Sequence, residues 1–147
     1  MTTFYADTSA VVGAYLPGEP GHAEIRDLLL QSESRVLTSE LTRVEFASAT
    51  AAAMRGRRLE DARLLVARFD ADNGPGRPFK VLSFDGGTVL RTAHGLVLEH
   101  VGLRTLDALH LAIAISDARR LVDDGPVFVT RDNRQAEAAK AHGFELA

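Results

Sequence analysis

Four acidic side chains stand where a folded chain has little use for bare charge: Asp7, Glu45, Asp107 and Asp132. Asp7 closes the apolar run Phe4-Tyr5-Ala6 and is followed by Thr8, Ser9 and an apolar helical pattern of Val11, Val12, Ala14, Tyr15 and Leu16. Asp132 likewise follows Val127-Phe128-Val129-Thr130-Arg131. Glu45 falls four residues after Leu41 and beside Val44 on a helical wheel, on or at the edge of the stripe that should face the core. Asp107 lies in the first turn of a strongly apolar helix, with His110 on the same face three residues on. Carboxylates in such surroundings cost free energy unless they are paired or bound to metal, and several together raise one another's pKa. An oxygen-only cluster in a chain without Cys selects hard ions, Mg²⁺ or Mn²⁺. Those ions activate water and stabilise a leaving oxyanion, which is phosphodiester hydrolysis without a protein nucleophile.

Each acid also has a structural role open to it. Asp7 and Asp132 are good N-caps, and Gln135 gives Asp132 a capping-box spacing. Asp107 suits a helix N-terminus, where the dipole favours an acid by about 0.3–1 kcal/mol. Glu45 can reach solvent or pair with Arg43 or Arg104, and His110 reads as a satisfied helix histidine before it reads as a ligand. Thr130 bonds either a ligand or its own turn. Asp85 and Asp117 are reserve candidates with ready cap or surface readings. The case for chemistry therefore rests on whether the four acids converge.

The elements that must position them follow from the hydrophobic pattern. Strands are expected at Phe4–Ala6, Val36-Leu37, Phe79–Ser83, Val127–Val129 and Phe144–Leu146. Helices are expected after Asp7, over His22–Gln31, from the Ser39 cap to Met54 or Arg55, over Leu59–Phe69, from Asp85 to about His100, over Thr105–Arg119 and over Arg134–Ala141. Pro17–Gly21, Gly56 and the loop Asp72–Pro78 punctuate them. Short apolar strands alternating with helices give a mostly parallel sheet covered on both faces, an α/β/α sandwich of three layers. Asp7 and Asp132 then sit at the carboxyl ends of parallel strands, on the edge where open α/β folds keep their sites.

Composition sets the outer limits. With 147 residues, 46% hydrophobic and 25% charged, the chain suits one domain over residues 1–147. No signal-peptide pattern and no apolar run of about 20 residues is present, so a cytoplasmic protein with no membrane attachment is expected. Net charge is -3, which disfavours a general nucleic-acid coat. With four carboxylates committed to metal, 16 acids face 17 bases, and a polyanionic substrate is permitted. All bases but Lys80 and Lys140 are Arg, the better bidentate phosphate partner.

The segments Tyr5-Ala6-Asp7-Thr8-Ser9-Ala10, Arg43-Val44-Glu45, Leu106-Asp107-Ala108-Leu109-His110-Leu111-Ala112 and Val129-Thr130-Arg131-Asp132 resemble the signature blocks of PIN domains, most of all the VapC-type ribonuclease toxins of toxin–antitoxin pairs. The likeness spans the chain, in order. It implies a PIN-like fold and a Mg²⁺- or Mn²⁺-dependent endoribonuclease whose acidic site is Asp7, Glu45, Asp107 and Asp132. Thr8 or Ser9 and Thr130 would orient carboxylates or waters. It also implies a homodimer and an antitoxin that wraps the toxin and blocks its site.

Three functions are then to be weighed. The first is cleavage of single-stranded or looped RNA, where unstacked bases can be read, with Arg43, Arg104, Arg131 and Arg134 available to phosphates. The second keeps the fold without the enzyme: an RNA- or antitoxin-binding module using Leu28, Leu29, Leu64 and Leu65 as a groove for an amphipathic helix. The third is an aspartyl-phosphate enzyme with Asp7 as nucleophile. It would want an acid where Ser9 stands and a Lys ending a later strand, whereas Lys80 begins one.

Overall fold

The computed structural model describes residues 1–147. Four strands, β1 (Thr3–Ala6), β2 (Arg35–Ser39), β3 (Phe79–Leu82) and β4 (Val127–Val129), form one parallel sheet in the order β3-β2-β1-β4. Seven helices cover it: α1 (Thr8–Tyr15), α2 (His22–Arg26), α3 (Glu40–Arg55), α4 (Ala62–Ala71), α5 (Gly86–Glu99), α6 (Thr105–Ser116) and α7 (Asn133–Ala141). A π-helical turn, Asp27–Gln31, prolongs α2.

Strand side chains alternate between the two faces, and each face has its own core. Tyr5, Leu37, Leu82 and Phe128 point into one, with α5, α6 and α7. Phe4, Ala6, Val36, Phe79 and Val129 point into the other, with α1, α3 and α4. The second core is centred on Tyr15, Phe46, Phe69 and Phe79, whose rings meet at centroid distances of 4.9–6.1 Å, the range of favourable aromatic packing. Three layers result, as the alternation of strands and helices requires.

The chain leaves β1 for β2 and β3 through helices on one face, then returns to β4 on the other side of β1 through helices on the opposite face. The segments after β1 and after β4 therefore diverge, α1 to one face and α7 to the other. A crevice opens between them at the carboxyl end of the sheet, the topological switch point of an open α/β fold.

Several expected boundaries shift. The fourth helix begins at Ala62, because Asp61 caps it by accepting from Arg63 N at 2.9 Å. The long apolar helix ends at Ser116, and a 3₁₀ turn covers Ala118–Leu121. The last strand reduces to one parallel bridge between Leu146 and Phe128, flanked by the bonds Phe128 N–H to the Glu145 carbonyl and Ala147 N–H to the Phe128 carbonyl. Val44 is 73% exposed; the buried stripe of α3 is Thr42, Phe46, Thr50 and Ala53, so Glu45 lies on its border. Of the four leucines considered for a groove, Leu29 is buried, Leu28 and Leu65 pack on the core, and only Leu64 is exposed.

Phe46 is the side chain that fixes α3, and so Glu45, against the sheet. Phe46→Ala should cost about 3–5 kcal/mol of stability, measured as a lowered urea midpoint at unchanged slope; an unshifted midpoint would show that the aromatic cluster does not hold α3 in place.

Candidate active site

β1 and β4 are hydrogen-bonded neighbours, with Ala6 opposite Val129. That register brings Asp7 beside Thr130, whose hydroxyl donates to Asp7 Oδ2 at 2.5 Å. Asp7 Oδ1 accepts from Ser9 Oγ at 2.7 Å and from Ala10 N at 3.0 Å, the second being the N-cap bond of α1. Asp7 is thus a cap, and every donor bonded to it is neutral. It is 2% exposed. Burial pushes its carboxyl pKa upward, against the opposing pull of Thr130, His110, Ala10 and Ser9.

Glu45 borders the same crevice from α3, where it meets His110 rather than an arginine. His110 Nε2 lies 2.7 Å from Glu45 Oε1 and 3.1 Å from Thr8 Oγ1, while Nδ1 lies 3.0 Å from the Tyr5 hydroxyl. Thr8 donates to Glu45 at 2.9 Å. With Tyr5 donating to Nδ1, the ring proton sits on Nε2 and points at Glu45, a tautomer assigned from the network. Burial opposes ionisation of Glu45, but His110 and Thr8 outweigh it and hold the carboxyl below its ordinary range. His110, 1% exposed, joins β1, α1, α3 and α6 at one point. It is a satisfied helix histidine, bonded through both ring nitrogens, and it also lines the crevice.

Asp107 and Asp132 form the opposite rim. Arg104 reaches both, at 3.1 Å to Asp107 and 3.3 Å to Asp132. Burial raises the Asp107 pKa and Asp132 adds to it; Arg104 only partly offsets them. Asp132 caps α7 by accepting from Gln135 N at 2.9 Å, but the capping box is half-formed. The Gln135 side chain instead donates to the Asp107 carbonyl at 2.9 Å, locking α7 to the first turn of α6. Nothing in the spacing of Gln135 distinguishes that long-range bond from the local one.

Asp7, Glu45, Asp107, Arg104, Arg131 and His110 are among the residues that line one cavity of about 520 Å³. Ser9 holds the Arg131 backbone by accepting from its N–H at 2.9 Å. Asp132 stands at the rim through Arg104. Arg43 is committed to Asp70 at 3.2 Å, and Arg134 points to the Gly102 carbonyl at 3.4 Å; neither lines the cavity. Asp85 caps α5, and Asp117 follows the far end of α6 from Asp107. Asp7, Glu45 and Asp107 share the cavity, with Asp132 outside its lining, and the acids are not drawn onto one point. The only three acid or histidine ligand atoms within 4.8 Å of one another belong to Glu99, His100 and His142, outside it.

With fold and cavity in view, comparison with known proteins is direct. The model of the PIN domain family matches residues 4–141, and the chain belongs to that family. Solved structures with the same fold include VapC20 of Mycobacterium tuberculosis, described as a sarcin-ricin-loop-cleaving toxin, at 16% identity and a TM-score of 0.67 over 98% of each chain. VapBC2 of Rickettsia felis, bound to a promoter DNA fragment, aligns at 11% identity and a TM-score of 0.63 over 99% of this chain and 98% of that one. VapBC-1 of nontypeable Haemophilus influenzae aligns at 13% identity and a TM-score of 0.56 over 99% and 97%. Among curated protein sequences none matches the chain.

The role of His110 can be measured without a substrate. His110→Phe removes the bonds to Tyr5, Thr8 and Glu45 and should destabilise the fold by about 1–3 kcal/mol. Glu45, with its lowered folded pKa, contributes stability that is present above the unfolded value and lost as pH falls through the folded one. The variant should therefore show a flatter acid limb in denaturation midpoint against pH. An acid limb identical to that of the parent protein would remove the His110–Glu45 bond as its origin.

Proposed function

We propose that this protein is an endoribonuclease toxin of the VapC type, hydrolysing RNA phosphodiester bonds with Mg²⁺ or Mn²⁺ held by Asp7, Glu45, Asp107 and, at the rim, Asp132. Family membership supports a nuclease. The observation that carries the metal is Asp7: a buried carboxylate at the switch point whose bonded donors are all neutral. Desolvating a charge is tolerable only if a cation or a proton accompanies it. The donor set is all oxygen and fits a hard divalent ion; bound there, such an ion would supply an activated water and neutralise charge on the phosphate.

The chain's own residues have separable tasks in this reading. Ser9 and Thr130 hold Asp7 with both oxygens oriented. His110 and Thr8 hold the Glu45 carboxyl below its ordinary range, favouring the ionised form that a metal ligand must take. Arg104, 72% exposed in its side chain, neutralises Asp107 and Asp132 until an ion does so, and is then free to meet a phosphate beside Arg131. Arg43 and Arg134 serve substrate only if they leave Asp70 and Gly102. The toxin role, a cognate antitoxin, the pairing of two copies and a cytoplasmic setting are supported by the resemblance to VapC proteins and by the VapBC complexes of like fold. No helix is long and apolar enough to cross a membrane.

Asp7→Asn and Glu45→Gln should each lower Mg²⁺-dependent cleavage of single-stranded RNA by about a hundredfold or more, at least the upper end of what perturbing a metal's supporting shell costs. Full activity in both variants would remove the acidic site from the reaction.

The raised Asp7 pKa yields an independent test without RNA. A carboxyl whose folded pKa exceeds its unfolded one binds more protons in the native state, so stability falls as pH rises between those values. Asp7→Asn should hence keep or raise the thermal midpoint at neutral pH in chelator, and should lose the rise that Mg²⁺ gives the parent protein. A variant that melts lower in chelator yet keeps the Mg²⁺ effect would place the ion elsewhere.

A further inference from the structure

Outside the crevice, the C-terminal ends of α5 and α7 meet through His100 and His142. His100 follows the last residue of α5 and His142 follows that of α7, and their backbone N–H groups close the final turns on Leu96, Ala138 and Ala139. The two Nε2 atoms lie 3.0 Å apart. Glu99, in the last turn of α5, places its carboxylate oxygens 3.8 Å from His100 Nε2 and 3.6 Å from His142 Nε2. This is the one trio of potential ligand atoms in the protein that closes to within 4.8 Å. His110, the one buried histidine, is bonded instead to Tyr5, Glu45 and Thr8, so the part-buried pair is chemically separate from the nuclease site.

We propose that Glu99, His100 and His142 form a second metal site, selective for a borderline transition ion of the Zn²⁺ class. Zn²⁺ bonds His nitrogen and carboxylate oxygen at about 2.0–2.2 Å, so the edges of its tetrahedron measure about 3.3–3.6 Å. The two Nε2 atoms at 3.0 Å, and one Glu99 oxygen 3.8 Å from His100 Nε2 with the other 3.6 Å from His142 Nε2, lie near that edge. With one atom from each residue the trio closes within 4.8 Å, and small side-chain rotations bring a single oxygen onto the face. Two imidazoles and a carboxylate favour Zn²⁺ over Mg²⁺, which prefers oxygen and keeps its waters. The location adds to the donor set. Both histidines sit at helix C-termini, where the backbone presents partial negative charge and cations are favoured.

Without a cation, imidazole nitrogens at 3.0 Å require one Nε2 to donate and the other to accept. One proton is shared by two nitrogens already facing each other. A metal at about 2.0 Å from each would sit to one side of the line between them, toward Glu99, and a small turn of each ring aims both lone pairs at it. Bound Zn²⁺ joins α5 to α7, which otherwise contact each other chiefly through α6. Since α7 carries Gln135 and is capped by Asp132, the staple steadies the far end of the helix that forms one rim of the crevice. It takes no part in the chemistry there.

The test is a Zn²⁺ titration of the full chain, followed by long-range ¹H–¹⁵N spectra of the five histidines. Ligation should move the Nε2 resonances of His100 and His142 at one equivalent and leave those of His22 and His94 in place. His100→Gln and His142→Gln should each weaken Zn²⁺ binding by at least about tenfold, whereas His94→Gln should not. The Asp7→Asn variant should bind Zn²⁺ at the pair as the parent does, so loss of the nuclease site and loss of this one read out separately. Unmoved Nε2 resonances for His100 and His142, or equal affinity in the parent and both Gln variants, would overturn the proposal. Mg²⁺-dependent RNA cleavage by His142→Gln should match the parent, since neither histidine touches the crevice.

Discussion

The structure depends on how a carboxylate is kept at the carboxyl end of its central strand. Asp7 is almost wholly out of water, and only a backbone amide and two hydroxyls hold it. Three neutral hydrogen bonds orient an anion but do not return the solvation it has lost. The cost shows as a carboxyl pKa raised by burial above its ordinary value, and a native protein keeps such a cost mainly where it has a use. The neighbours are consistent with that. Thr130 directly follows β4, Ser9 lies in α1, and Ser9 also accepts from the Arg131 backbone, so the elements diverging from the switch point are tied together through the very group that destabilises them.

Topology explains why the remaining acids arrive from distant positions. The strand order β3-β2-β1-β4 makes β1 the point where the chain reverses, and whatever follows β1 and β4 must border one crevice. Helices α3 and α6, packed on opposite faces, then bring one acid each to its mouth. His110 is the joint between them: an imidazole between the Tyr5 hydroxyl and the Glu45 carboxylate spans both faces. A charge-assisted bond of that kind is stronger than a neutral one. It helps hold the Glu45 carboxyl below its ordinary range, while burial pushes the Asp7 carboxyl above its own in the same cavity.

Much of this was readable from the chain, for physical reasons that also mark where reading fails. The caps Asp7, Ser39, Asp85 and Asp132 all accept from the first turns of their helices, because N-capping is local and its residue types are few. The four parallel strands followed from short apolar runs, which only a sheet covered on both faces accommodates. Long-range partners were not readable. Gln135 has the spacing of a capping box, yet its side chain crosses to α6; Arg104 could have met Glu45 and instead clamps Asp107 to Asp132. Val44 has the periodicity of a core residue but is exposed, since α3 buries small hydroxyls, Thr42 and Thr50, on its sheet side. Hydropathy patterns weigh residue types, whereas those threonines are buried because each finds an acceptor, Thr38 for one and the Phe46 carbonyl for the other.

Arg104 shows how such a cavity can be both stable and available. Its guanidinium faces solvent for most of its surface while bridging two carboxylates. Exposed ion pairs contribute only about 0–1 kcal/mol each, so exchanging this partner for a hard divalent ion costs little on the protein's side. Asp7, by contrast, has no cation to exchange and gains the full electrostatic benefit of one. On the proposed reading, the ion's affinity comes chiefly from the buried centre and the ease of its entry from the exposed rim. A guanidinium displaced from the acids stays tethered within a turn of Asp107, at the place where a phosphate held in the cavity would carry its charge.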